Sequence, residues 1–173
     1  MDVNESGVAV GFSSYKVSQD YLDVIEDEDR GCADPEIVPK QMTLSACISE
    51  LQLRYTNPYH SVAIKTVLSP EGTSTVEPLG LLVTPHPEDL RPFSSYALAI
   101  NSSDVAVGYA DGFYDESVTE PSKSERSAYH YAVAYKNGEV IDLTGDHKNK
   151  RNSRAYDIND AGIAVGHITN SSN

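Results

Sequence analysis

One short sequence pattern occurs three times in this chain of 173 residues. It aligns without gaps at residues 2–12 (DVNESGVAVGF), 99–109 (AINSSDVAVGY) and 157–167 (DINDAGIAVGH). Such a repeat constrains the fold strongly, because each copy forms the same local structure and repeated units bury their apolar faces against one another. The shared positions are Asn4, Asn101 and Asn159, then Gly7, Asp104 and Gly162, and finally Gly11, Gly108 and Gly166.

Each copy predicts a β-hairpin, which we call an A hairpin. Its turn begins with an Asn, whose side chain can bond the backbone two residues on, and ends in a Gly that accepts a positive φ. Asp104 replaces this Gly in the middle copy, and Asp tolerates left-handed backbone better than most residues. Because β-forming residues and small alanines flank each turn, we predict closely packed strands and assign all nine shared residues, including Gly11, Gly108 and Gly166, to structural turns.

A second kind of hairpin, the B hairpin, lies between the A hairpins. Asn137 and Gly138 are flanked by strand formers, which is the signal of a type I′ turn. One A and one B hairpin together make a four-stranded antiparallel sheet of the size of a propeller blade. We therefore predict an all-β fold of antiparallel hairpin repeats in a partial β-propeller-like arrangement. The predicted A hairpins cover residues 2–12, 97–109 and 155–168, and the B hairpins cover residues 60–79 and 130–143.

The pattern Ala-x-x-Ile-Asn-x-x-Gly-x-x-Val-Gly, followed by His-x-Ala-x-x-Tyr-x-Asn-Gly, resembles the HAF-type extracellular repeat of exported bacterial proteins. The resemblance is strongest at residues 157–166 and 130–143. It implies a propeller-like array in the extracellular space or cell envelope, of no established enzymatic activity, and it provides no catalytic residues to carry over. Residues 1–173 are expected to form one repeat-built domain. Since neither end has an atypical capping unit, we expect a fragment of a longer exported protein.

Residues 13–58 are predicted to be an insert between the first A hairpin and the first B hairpin. Residues 39–54 have apolar residues at helical spacing and predict one short helix. Cys32 and Cys47 are too far apart for a Cys-x-x-Cys motif and have no further Cys nearby for a zinc site. In an exported protein such a pair is expected to form a disulfide, and two unrelated buried thiols are the alternative.

The chain is acidic, with 26 Asp and Glu against 13 Lys and Arg and a formal net charge of -13. Phosphate backbones and anionic membrane surfaces repel such a protein, so we expect no nucleic-acid partner. No apolar run approaches the ~20 residues that cross a bilayer, so no membrane insertion is expected.

Acidic residues also suggest cation sites, which we weighed against simpler interpretations. The run at residues 26–29 is read as a solvated loop, with a divalent-cation site as the alternative. Residues 2–7 and 157–162 resemble part of a calcium loop, but their fifth positions are Ser6 and Ala161, and Ala has no ligating atom in its side chain. We predict no metal and no other cofactor, while calcium binding by the acidic loops stays open.

Motifs of known catalytic chemistry are missing from the sequence. It has no Gly-x-Ser-x-Gly, no His-Glu-x-x-His and no phosphate-binding loop. His60 and His130 each follow a Tyr in a B hairpin, and we predict that both make one recurring structural hydrogen bond.

Two function classes remain. The first is a non-catalytic interaction or structural module at the cell surface, whose tyrosines line a face that binds a protein or polymer. The second is a hydrolase or lyase acting on an extracellular polymer, with its site completed by the rest of the parent chain. The missing motifs favour the first. Unpaired strand edges also predict that the chain self-associates, unless hairpin 2–12 completes a sheet with hairpin 155–168.

Overall fold

The protein is described by a computed structural model over residues 1–54, 59–69, 72, 74–84, 93–113, 128–145 and 152–169. These residues form ten β-strands and two helices. They divide into two compact units, one of residues 1–13 and 61–173 and the other of residues 14–60. The strands pair mostly in antiparallel fashion, so the predicted all-β class is confirmed.

The strands form three sheets. The first sheet has the order β1 (Asp2–Val3), β2 (Val8–Val17), β3 (Tyr59–Leu68), β4 (Ser74–Gly80). The second sheet has the order β5 (Ser95–Ile100), β6 (Ala106–Phe113), β7 (Ala128–Lys136), β8 (Glu139–Asp142). The third sheet contains β9 (Ser153–Ile158) and β10 (Ala164–Ile168).

All five predicted hairpins are present, and an A hairpin joins a B hairpin in each four-stranded sheet. The alternative pairing of hairpin 2–12 with hairpin 155–168 is wrong. The first hairpin pairs with β3 instead, and β9 and β10 form a sheet of their own. The propeller-like arrangement of these sheets stays a prediction.

The turns of the three A hairpins have one geometry. In each turn the Asn side-chain oxygen accepts from the backbone nitrogen four residues on, at 3.0, 3.0 and 2.9 Å. The third residue after the Asn donates its N–H to the Asn carbonyl and has a positive φ of 76° at Gly7, 58° at Asp104 and 77° at Gly162. The turn chemistry inferred from the sequence therefore accounts for these residues.

The second set of shared glycines lies outside the turns, which corrects their assignment as turn residues. Gly11, Gly108 and Gly166 lie in the second strand of each hairpin. A Cβ atom on Gly108 would lie 1.9 Å from the carbonyl oxygen of Tyr96, and one on Gly166 would lie 1.9 Å from that of Arg154. The pairing registers shift near both positions, so a bulge brings the neighbouring strand too close for any side chain.

The core of the first unit lies between successive sheets, because strand residues alternate between two faces. One cluster joins the first sheet to the second and contains Val8, Val10, Ala63, Ala97, Ile100, Ala106, Ala110, Val133 and Tyr135. The other joins the second sheet to the third and contains Ala99, Val107, Ala132, Ala134, Ala155 and Ile158. The second sheet is therefore buried on both faces.

The second unit contains two helices where one was predicted. Helix α2 (Leu44–Arg54) lies inside the predicted range 39–54. Helix α1 (Gln19–Glu26) was missed although Tyr21, Leu22, Val24 and Ile25 have helical spacing, because it is only eight residues long and leads directly into the acidic run that was read as a loop. Ser18 caps the start of α1, and its hydroxyl accepts the backbone N–H of Tyr21 at 3.3 Å.

A disulfide joins Cys32, which lies in the loop after α1, to Cys47, which lies in α2. The Cα atoms are 5.8 Å apart and both side chains are buried. The predicted insert 13–58 overlaps this unit, and residues 55–58 lie outside the described residues. The acidic run at residues 26–29 begins where α1 ends and continues into a turn.

Candidate functional site

The three A turns lie next to one another and are joined through their asparagines. The side-chain nitrogen of Asn4 donates to the carbonyl oxygen of Asn101 at 3.1 Å, and that of Asn101 donates to the carbonyl oxygen of Asn159 at 3.2 Å. We call this row of Asn4, Asn101 and Asn159 the asparagine ladder. The sequence predicted each turn, but not that the turns would bond to one another in sequence order.

Acidic side chains reinforce the asparagine ladder. Asp104 accepts a second hydrogen bond from the Asn4 amide at 2.8 Å, and Asp160 accepts the N–H of Ser102 at 2.9 Å. Hydrogen bonds from Ser102 hold the pKa of the Asp160 carboxyl below its usual value. These carboxylates are engaged in contacts between turns, which gives them a structural role.

Metal binding and membrane spanning were also considered for the described residues. Within the described ranges, His, Cys, Asp and Glu side chains form no group of three or more that could hold a metal ion. Neither helix found in these ranges is long and apolar enough to span a bilayer.

A buried carboxylate and a histidine form a pair at the start of the B hairpin in the second sheet. Asp111 lies on β6 and His130 opposite it on β7, and the Oδ1 to Nδ1 distance is 2.7 Å. The other carboxylate oxygen of Asp111 accepts the N–H of Ser94 at 2.8 Å. A carboxylate paired with an imidazole in this way can orient the ring to act as a general base, but nucleophilic catalysis also requires a hydroxyl or thiol beside the ring. Among the described residues, the only hydrogen-bond partner of the His130 ring is Asp111.

His60 does not repeat the environment of His130, so the predicted recurring histidine hydrogen bond is wrong. The backbone N–H of His130 donates to the side-chain oxygen of Asn152 at 2.9 Å. In the first sheet the matching bond runs from the backbone N–H of Ser61 to the hydroxyl oxygen of Ser94, at 3.1 Å. The structural counterpart of His130 is therefore Ser61. Since His60 precedes Ser61, its side chain points to the opposite face of the strand.

Aromatic rings and one arginine form a continuous surface across the three sheets. The Phe12 ring meets the Tyr96 ring edge-on at 4.8 Å, and Tyr96 stacks on Tyr109 at 4.6 Å. Tyr109 also contacts the His130 ring at 5.2 Å and lies beneath the Arg154 guanidinium, 4.4 Å from the ring centre. All five side chains are partly or well exposed. We call Phe12, Tyr96, Tyr109, His130 and Arg154 the aromatic surface.

The repeat explains how the aromatic surface is built. Phe12 and Tyr109 each follow the last shared glycine of their hairpin, Gly11 and Gly108, while Tyr96 and Arg154 each follow the first Ser of β5 and β9. The contacts of Phe12 with Tyr96 and of Tyr109 with Arg154 are therefore the same contact between successive sheets. The residue after the glycine carries a ring in all three copies, with His167 in the third, and this signal could have revealed the surface from the sequence.

The aromatic surface is suited to binding by rigid anchors. Burial raises the pKa of the Tyr109 hydroxyl, and the nearby Arg154 charge opposes that rise. Tyr109 therefore stays neutral at physiological pH and offers a flat apolar face with a polar edge. Tyr and Arg are enriched among the residues that contribute most to protein interfaces. Tyr buries much area with little loss of conformational freedom, and Arg adds a charge that can stack on aromatic rings.

Comparison with known proteins gives a family without a known activity. The profile of a family described as "Protein of unknown function (DUF3466)" matches residues 1–173. The comparison with curated proteins and the comparison with solved structures each found no match.

Proposed function

The chain belongs to the DUF3466 family of proteins of unknown function, and we propose that it is a non-catalytic interaction module that binds another protein through its aromatic surface. The observation that carries the proposal is the unbroken contact from Phe12 through Tyr96 and Tyr109 to Arg154. Each ring is held by a strand of the stacked sheets, so binding would immobilise few side chains.

We place this module in the extracellular space or the cell envelope. The Cys32–Cys47 disulfide supports an oxidising compartment. The resemblance to HAF-type repeats supports the same location, as well as a propeller-like arrangement of the sheets.

The experiment compares the proteins that immobilised variants retain from an envelope extract of the producing cells. Phe12→Ser and Arg154→Ser remove two anchors of the aromatic surface. Tyr15→Ser is a matched control, because Phe12 and Tyr15 are both 44% exposed and Tyr15 lies in the other unit. We expect one partner protein to bind the wild type and the control, and to bind each surface variant at least tenfold more weakly, as is usual for an anchor worth about 1.4 kcal/mol or more.

The partner is then purified and the affinities are measured with the isolated pair. Equal binding by the wild type and both surface variants would overturn the proposal. Retention that survives protease treatment of the extract would identify a polymer instead of a protein.

A second function, hydrolysis or cleavage of an extracellular polymer, has one observation in its favour, the Asp111–His130 pair. Under this alternative, polymer breakdown by the chain would disappear in His130→Asn, which keeps a hydrogen-bonding side chain but not a titratable ring. Under the interaction proposal, the same preparation degrades no polymer before or after the substitution.

A further inference from the structure

One apolar position of the repeat is buried in two sheets and exposed in the third. Val10, Val107 and Val165 occupy the same place in the three A hairpins. Val10 is 4% exposed because it packs against the second sheet, and Val107 is fully buried because it packs against the third. Val165 is 56% exposed, and Ile163 two residues earlier is 62% exposed. The third sheet therefore presents an apolar face of the kind that a following sheet covers in the other two cases.

The asparagine ladder is open at the same end. The side-chain nitrogens of Asn4 and Asn101 each donate to the next turn. Among the described residues, the side-chain nitrogen of Asn159 has no acceptor. In all three turns the Asn carbonyl accepts a backbone N–H of its own turn, which for Asn4 is that of Gly7. The Asn101 and Asn159 carbonyls each accept a second hydrogen bond, from the asparagine of the preceding turn. Within the part of the chain that the structure describes, the ladder thus ends in a free donor at one side and a free acceptor position at the other.

The front of the first sheet has the complementary face. Ala106 packs against the preceding sheet, and Ala164 does so in the third sheet. Ala9 holds the same position in the first sheet, where the described residues include no preceding sheet. It lies in an open, mostly apolar hollow of about 440 Å³, lined also by Met1, Val3, Phe12, Ile64 and Thr66.

We propose that the exposed face of the third sheet binds the front face of the first sheet in a second copy of this chain. Ile163 and Val165 would enter the hollow around Ala9 of the second copy, and Asn159 would donate to the Asn4 carbonyl of that copy. The contact repeats the packing already present between the sheets within one chain. Because two different faces meet, the interface is head-to-tail, and it forms either a ring or an open chain of copies.

Charge opposes this contact and provides a signature for it. Each copy carries a formal charge of -13, and Asp157 and Asp160 would approach Asp2 and Glu5 of the second copy. Salt screens repulsion between exposed charges, while it does not weaken apolar burial. Association is therefore expected to strengthen as the salt concentration rises, opposite to an association held by ion pairs.

The test uses two variants that each block one face. Val165→Asp blocks the third sheet, and Ala9→Asp blocks the front of the first. Leu44→Asp is the control, because Leu44 is a similarly exposed apolar side chain that lies in α2 and belongs to neither sheet. Light scattering over a range of tens of micromolar, at low and high salt, gives the mass of each protein, and circular dichroism shows that each variant is folded.

We expect the wild type and the control to form oligomers that grow with concentration and salt. Each blocked variant should remain monomeric alone, with at least a tenfold weaker association. An equal mixture of the two blocked variants should form a one-to-one dimer, because one intact face of each kind remains.

A monomeric wild type, or a mixture of blocked variants that stays monomeric while the wild type associates, would overturn the proposal. If Ala9→Asp does not fold, Thr66→Asp replaces it in the same hollow. Phe12 lines the hollow and also belongs to the aromatic surface, but no residue substituted in this test belongs to the aromatic surface, so the outcome does not decide the proposed function.

Discussion

The second and third sheets begin with nearly the same hairpin, yet their apolar residues differ in surroundings. On the second sheet, Ala106 faces the first sheet and Val107 faces the third, and both are buried. On the third sheet, Ala164 packs against the second sheet, while Val165 is exposed. The repeat therefore encodes a strand with two apolar faces. Whether the second face is buried depends on its neighbour and not on its own sequence.

The two units also differ in how they are stabilised. In the first unit, small alanines and valines of successive sheets pack together, and main-chain and asparagine hydrogen bonds join the turns. In the second unit, the buried apolar residues are few, and the disulfide closes the loop between α1 and α2. Small units with little core commonly depend on such a cross-link.

The largest effect should come from placing a charge at the two matched valines. Val107→Asp buries an unpaired carboxylate between two sheets and is expected to lower the free energy of unfolding by about 4 kcal/mol or more. Val165→Asp should change the stability of the monomer by less than about 0.5 kcal/mol, because its site is open to water. Urea unfolding followed by circular dichroism, at a concentration where the protein is monomeric, measures both. Similar losses in the two variants would show that the third sheet is covered within the chain.

The next largest effect concerns the unit that lacks sheet packing. Replacing Cys32 and Cys47 together by Ser should destabilise residues 14–60 by roughly 3 kcal/mol, the entropy of closing a loop of this size. Hydrogen exchange should show faster exchange in α2, with little change in β6 and β7. Reduction of the wild type should reproduce this pattern, whereas faster exchange throughout the second sheet would contradict the separate stabilisation of the two units.

Local hairpin chemistry was predictable from the sequence, because Asn, Gly and Asp determine a turn through bonds within a few residues. The five hairpins were found in this way. The Cys32–Cys47 pair was predicted on different grounds, as an isolated pair of cysteines in a chain expected to be exported. The arrangement of the sheets was not predictable, since Val107 and Val165 have the same neighbours in sequence and different neighbours in space. Helix α1 was missed because it is only eight residues long and leads into an acidic run that was read as a loop.

The candidate site was less predictable than the fold. The aromatic surface requires side chains from five strands on three sheets to meet, which a single strand pattern does not reveal. The ring after the last shared glycine of each repeat was visible in the sequence at Phe12, Tyr109 and His167, but only the sheet order brings Tyr96 and Arg154 beside them. The assumed equivalence of His60 and His130 failed because the first B hairpin is offset by one residue.

The pH dependence of the free energy of unfolding should report on a buried tyrosine of the second sheet. Burial raises the pKa of Tyr131 to about 12, and the negative charge of Asp142 contributes in the same direction. The unfolded chain releases this proton near pH 10. Between these values the unfolded state binds fewer protons, so the free energy of unfolding should fall as the pH rises from 10 to 12, by about 2 kcal/mol from this group. Urea unfolding across this range should show a shallower fall in Tyr131→Phe, and an unchanged slope would contradict the assignment.

The smallest effect compares the middle and the open end of the asparagine ladder. Asn101 is buried, accepts from Ser103 and Val105, and donates to the Asn159 carbonyl. Asn101→Ala leaves these backbone groups without a partner in a covered turn and should lower the free energy of unfolding by about 1.5 kcal/mol. Asn159→Ala removes a similar turn bond to Ile163 at an exposed position where water replaces it, and should cost about 0.5 kcal/mol. Asn101→Asp keeps the acceptor oxygen but places a buried carboxylate oxygen against the Asn159 carbonyl, so its loss should be at least as large as that of Asn101→Ala. Thermal unfolding of the three variants at one protein concentration measures the order. Equal losses for Asn101→Ala and Asn159→Ala would mean that the bonds between turns contribute no stability, and that the ladder follows from sheet packing alone.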